Sequence, residues 1–292
     1  MKNPNIKWIY LLILSVIWGS SFILIKKSLL GLTPYQLGAL RTIITGIILL
    51  AFGYSKLKDI PKSKWKWLLI SGLLGSFFPA FFFAIAETEI DSAVASILNS
   101  LVPLNTILLG FAVFKIASTK RQVLGVIVGF VGTAILILKG SELNPNQNYL
   151  YAGFVIASTL MYAANVNIIK RYLQFVNPLA IAAGNYVFIV IPALVILFFT
   201  DFFTAERFNN PDLPNAILYV IILSVFGTAL AKVLFNTLVQ VSTPVFASSV
   251  TYIMPIVALI WGVLDGESFS MLQGLAALLI LVGVYLSHKR RA

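Results

Sequence analysis

Pro103 and Pro255 stand inside long apolar runs of the sequence, where a helix would normally be unbroken. Each lacks the N–H that would bond the carbonyl four residues earlier. The carbonyls so freed belong to Asn99 and Thr251, themselves polar. In lipid, a free carbonyl must be met by protein, water or a bound solute, so these breaks are candidate binding positions. A kink used only for packing is the competing reading. Lys232 and Arg41 are the only basic residues well inside such runs. Facing a cavity, they would attract a carboxylate or phosphate. Alternatively they reach the membrane surface, because Lys232 lies only six residues from Leu238, about 9 Å of helical rise.

Other side chains offer weaker chemistry. Trp18, Tyr162 and Tyr252 join a flat apolar face to a hydrogen-bonding edge. Asn165, Asn167, Asn185 and Asn236 are candidate polar contacts, with interhelical hydrogen bonding an equal alternative. Phe77, Phe78, Phe81, Phe82 and Phe83 surround one helix, so each serves packing as readily as a ligand; as a group they favour an aromatic or amphipathic one. Glu87, Glu89 and Asp91 cluster at one helix junction, and Glu267 lies in another loop. No acid or histidine stands at mid-membrane, which fits facilitated diffusion or exchange better than strict proton antiport. Glu87, the deepest acid, is the one candidate for coupling. The single histidine, His288, lies in the basic tail, and there is no cysteine to form a disulfide or ligate a metal. No paired acids, Ser/His set or metal ligands converge, so the sequence predicts no enzyme, no cofactor and no metal.

The elements that position these residues follow from composition. The chain has 292 residues, 59% hydrophobic and only 11% charged, with a mean hydropathy of +0.95. Soluble domains carry about 25% charged residues, so the solvent for this surface is lipid. A net charge of +11 would suggest nucleic acid in a soluble protein. Here it reads as loop charge that sets topology, with the bilayer and a small solute as partners and no nucleic acid. Nothing in the sequence defines an oligomer, and a monomer suffices. Apolar runs fall near 7–27, 34–54, 66–86, 91–114 and 121–139, then 149–170, 178–200, 214–238, 244–264 and 270–287. Pro34, Asp91, Pro178, Pro214 and Pro244 stand near their beginnings. The first run follows Lys2 and Lys7 like a signal peptide, but no small-residue cleavage site closes it, so it reads as a retained span.

With the N-terminus inside, the inside segments hold fifteen Lys and Arg, among them Lys115 and Lys289 to Arg291. The outside segments hold four: Lys26, Lys27, Lys139 and Arg207. Nine of the ten acids fall outside. That bias predicts both termini in the cytoplasm. Trp8, Trp65 and Trp67 sit at cytoplasmic span ends, as interfacial anchors do.

The two halves, 1–140 and 141–292, also repeat. At an offset of 144, Lys26-Lys27 falls on Lys170-Arg171, Pro34 on Pro178 and Arg41 on Asn185. At 152, Gly75 falls on Gly227, Ala95-Ser96 on Ala247-Ser248, Pro103 on Pro255, and Ala80 on Lys232. Five spans is an odd number, so the second half enters from the opposite side. Inverted repeats of this kind give a transporter two nearly equivalent packings. Gly125-x-x-x-Gly129 serves close helix packing.

Trp18-Gly19-Ser20-Ser21-Phe22 is similar to the opening motif of EamA-type proteins of the drug/metabolite transporter superfamily. Ala93 to Pro103, and Val245 to Pro255 followed by Gly262 and Glu267, resemble that family's two characteristic helix segments. The resemblance covers essentially the whole chain. It implies an all-α bundle of ten transmembrane helices, with a central cavity lined largely by the third, fourth, eighth and ninth spans. Family members export amino acids, aromatic or drug-like compounds, and relatives carry nucleotide sugars or phosphorylated sugars. The chain departs from symmetry at Lys115, which stands where Glu267 stands in the second half. The expectation is a secondary transporter or exporter of small metabolites, such as amino acids and aromatic or amphipathic compounds, working by alternating access in the inner membrane. A flippase for a lipid-linked sugar or phospholipid-like substrate is the rival.

Overall fold

A long apolar segment in lipid must bond every backbone N–H and C=O internally, and a helix does so within one segment. The computed structural model describes residues 6–114, 120–143, 147–267 and 270–288. Among these there is helix and turn but no strand. Lys2, Lys115 and the basic residues 289–291 of the topology count lie outside the described residues.

Helix runs through each of the expected segments: α1 Ile6–Ser28, α2 Pro34–Leu57, α3 Lys62–Ala86, α4 Ser92–Val113 and α5 Lys120–Leu143. The second half follows with α6 Tyr149–Tyr172, α7 Pro178–Phe198, α8 Leu213–Val241, α9 Pro244–Leu264 and α10 Met271–His288. Eight of these are long and apolar enough to cross a membrane; α5 and α10 carry shorter apolar stretches, Val123–Leu136 and Met271–Gly283. Starts are set by caps. Thr33 and Gln36 form a reciprocal capping box before Pro34, while Asn177 and Thr243 accept N–H bonds ahead of Pro178 and Pro244.

Among the described residues, α3, α4, α8 and α9 break or change their turn in mid-span. α4 breaks between Asn99 and Val102, and α9 narrows to a 3-10 turn over Ser249–Tyr252, just before the two prolines. α3 and α8 each widen into a π-helical turn, Leu73–Phe77 and Leu223–Leu230. The sequence did not announce these, yet adding 152 to the first places it inside the second.

Packing pairs α2 with α7, α5 with α10, α1 with α9 and α4 with α6. Large apolar side chains such as Phe52, Phe111, Ile191 and Phe198 remain exposed around the bundle, where water would be a poor solvent. The α5–α10 contact is backbone to backbone: a Cβ on Gly283 would lie 2.4 Å from the Gly129 nitrogen and 2.6 Å from the Gly125 oxygen. The G-x-x-x-G spacing therefore lets two helices touch. Gly283→Leu should force them apart, costing about 1–3 kcal/mol or more and lowering the melting temperature of the detergent-purified protein.

Candidate functional site

The irregular turns of α3, α8, α4 and α9 surround one cavity, whose empty volume counted out to open solvent is about 1020 Å³. Its wall is broader than the expected four helices: α1 contributes Trp18, Ser21, Phe22 and Ile25, and α2, α6 and α7 contribute Arg41, Tyr162 and Tyr186 among others. The reason is packing. α1 lies directly against α9 and the widened turn of α8, so its side chains fill the space those breaks open.

Trp18 shows how the wall is held. A π-helical turn leaves a carbonyl out of register, and the Trp18 indole N–H donates to the Gly227 oxygen at 2.9 Å. The Trp18 ring also packs on Phe235, centroids 5.0 Å apart. At the α9 break, the Thr251 carbonyl that Pro255 cannot bond accepts the Ser100 hydroxyl at 2.9 Å, and the Thr251 hydroxyl donates to the Ser248 carbonyl at 3.0 Å. That carbonyl is thus satisfied by protein. Asn99 lines the cavity with its Oδ1 buried and without a partner, and its amide nitrogen faces only the Met254 sulfur at 4.0 Å. Pro103, Pro255 and Tyr252 do not line the space; Tyr252 keeps a buried hydroxyl without a partner.

Both interior cations do line it. The Lys232 ammonium donates to the Ser76 hydroxyl at 2.7 Å, and with its amide suitably oriented, Asn185 accepts from Lys232 at 3.2 Å. The Arg41 Nε donates to the Thr228 hydroxyl at 2.9 Å. Neither cation forms an ion pair with a carboxylate among the described residues. Thr228 and Lys232 are four residues apart on α8, so the two positive groups share one side of that helix. Asn165 accepts the Ser71 hydroxyl at 2.6 Å across α3 and α6. Tyr162 stacks on Phe83, centroids 6.1 Å apart. Of the five phenylalanines of α3, Phe83 alone lines the cavity, while Phe78 is exposed and Phe81 packs on α2 at Gly38. Asn105 bonds Thr159 instead of facing inward.

At the end of the bundle where α1 and α9 finish, charges close the structure. Glu267 is paired with Lys26 at 2.7 Å, and it accepts the Ser92 hydroxyl at 2.7 Å and the Ser92 and Ala93 N–H groups at 3.1 and 3.3 Å. It thereby caps α4 from the other half of the chain. Lys27 pairs with Asp265. The sequence reading missed this cross-link, although Lys26 and Lys27 stood out as cations on an otherwise acidic side. Glu87 lies one turn beyond Phe83, outside the cavity wall, with both oxygens buried and unpartnered. Burial, reinforced by the nearby Glu267, raises its carboxyl well above the usual range. No cluster of three or more His, Cys, Asp or Glu able to hold a metal occurs among the described residues.

The EamA-like transporter family model matches residues 6–138 and again 150–288. The chain belongs to the EamA-like transporter family. A transporter of Archaeoglobus fulgidus is 27% identical over 98% of this chain and 99% of its own. The inner membrane transporter YedA of Escherichia coli is 26% identical, covering 94% of this chain and 87% of its own. Protein PecM of Dickeya dadantii is 26% identical over 94% of this chain and 92% of its own. A solved protein structure superposes with a TM-score of 0.67 at 18% identity over 98% of both chains, which supports the fold. This EamA protein is therefore a multi-pass membrane transporter. Trp18, within its family-like opening motif, has a specific duty, to satisfy the Gly227 carbonyl. Trp18→Phe keeps the ring on Phe235 but strands that carbonyl, at a cost of about 1–3 kcal/mol, and should lower the melting temperature accordingly.

Proposed function

We propose that this EamA transporter moves a small anionic metabolite with an apolar or aromatic body by alternating access of the central cavity. The observation that carries this is the convergence of Arg41 and Lys232 on one cavity wall with hydroxyl partners and, among the described residues, no ion-paired carboxylate. A buried charge with only neutral partners, as at Lys232, is expensive, and a bound carboxylate or phosphate would offset that cost. Trp18, Phe22, Phe83 and Phe235 give the rest of the wall an aromatic character. Amino-acid-like and aromatic acids fit that combination.

Halves 1–140 and 141–292 act as inverted five-helix repeats in this reading, with both termini cytoplasmic in the inner membrane. The matched π turns, the matched breaks of α4 and α9, and the equivalent pairings α1–α9 and α6–α4 support it. Alternation would exchange the roles of the two halves around the cavity. The charges lie off the symmetry, at Arg41 against Asn185 and Lys232 against Ala80, so selectivity belongs to the places where the halves differ.

Ligand-induced thermal stabilisation across amino acids, aromatic acids, aromatic amines and sugar phosphates reads binding directly, and proteoliposome flux reads transport. Lys232→Ala and Arg41→Ala should each weaken binding of anionic ligands by roughly 10–100-fold, as expected for losing one charge-assisted hydrogen bond. Neutral analogues should change much less. Unaltered transport of acidic and neutral solutes by Lys232→Ala would remove the charge from the mechanism.

A further inference from the structure

Glu87 is the acid that the transport reading leaves unused. It follows the last residue of α3, is 6% exposed, and neither carboxylate oxygen has a hydrogen-bond partner among the described residues. A charged carboxylate so placed has neither water nor a donor to replace it. The charged groups around it come from several elements. Lys26 on α1 is committed to Glu267 at 2.7 Å and lies 3.9 Å from Asp265. Arg41 on α2 is held by Thr228 on α8. Glu267, in the loop after α9, adds like charge. Glu89 and Asp91 share its own loop, and from α6 the Tyr162 ring stacks on Phe83, one turn earlier. Lys26 thus acts on Glu87 from nearby but is held in this packing by Glu267, with Asp265 farther off.

We propose that the Glu87 carboxyl is a proton-binding site that latches this end of the cavity, shut while it carries a proton and opening as that proton is released to the solution on the same side. Opening would part Glu267 from Lys26 and from the α4 N–H groups and admit water to Glu87. The carboxylic O–H then breaks, the proton passes to water, and the carboxylate left behind can take the freed Lys26. The closed packing binds one more proton than the open one. Acid therefore favours closure, and rising pH favours opening. Closure at this end uses a cross-link between the halves. At the equivalent Lys170, the ammonium instead donates to the carbonyls of Val239, Gln240 and Ser242, within the second half.

The chain has no natural cysteine, so Ile25→Cys, on the cavity wall behind the latch, reports access without further engineering. In oriented proteoliposomes without substrate, an impermeant maleimide added on the latch side labels this thiol at a rate set by opening. The rate is taken relative to the same reporter with Glu87→Gln at each pH, which cancels the thiol's own titration. The ratio should rise with pH by up to about tenfold per unit. Glu87→Gln mimics the protonated acid and should fold and label with no pH dependence beyond that of the thiol. Glu87→Asp keeps an ionisable group and should keep the slope. A ratio flat from acid to neutral pH overturns the latch. Because no solute is present, that result is distinct from failure of the anion-transport reading, which flux and ligand stabilisation test separately.

Discussion

A carbonyl released inside the hydrocarbon core has no water to turn to, and that constraint organises this molecule. Four helices give up regular hydrogen bonding, at the π turns of α3 and α8 and at the breaks of α4 and α9. At two of these irregularities the structure supplies a donor from a distant helix: the Trp18 indole for Gly227, and the Ser100 hydroxyl for Thr251. The irregular backbone and the cavity are therefore one feature. Widened turns leave room, and the room persists because their polar groups are bonded sideways.

Charge is distributed under the same constraint. Arg41 and Lys232 are surrounded by hydroxyls and amides, which solvate a cation without neutralising it. At the far end of α1, by contrast, Lys26, Lys27, Asp265 and Glu267 neutralise one another and borrow the α4 N–H groups as well. A cavity with uncompensated positive charge and an end with compensated charge do different work. One suits binding an anion; the other suits holding two halves of the chain together.

The two halves match in backbone and differ in side chains. π turns and proline breaks recur at an offset of 152, and the pairing of α1 with α9 recurs as that of α6 with α4. The cavity cations Arg41 and Lys232 do not recur. Under the proposed alternation, the scaffold keeps its geometry nearly symmetric while an asymmetric ligand is met by unpaired substitutions.

Much of this was legible in the sequence. Apolar runs bounded by prolines and charges set the helices to within a few residues, because lipid admits few alternatives to a helix. The fixed offsets located Asn99 and Thr251 as breaks and exposed Arg41 and Lys232 as the odd charges. What each does was a tertiary matter. A freed carbonyl at Thr251 reads the same whether a solute or Ser100 meets it, and only the approach of α4 to α9 decided for Ser100. The π turns carry no composition of their own, being a choice of hydrogen-bond register made where α8 packs on α1 and α2 and where α3 packs on α6 and α7. Glu267 looked like a loop acid until folding brought Lys26 and Ser92 to it from 241 and 175 residues away. Sequence fixes which polar groups enter the membrane; only the fold determines which of them meet each other, and so which remain for a ligand or a proton.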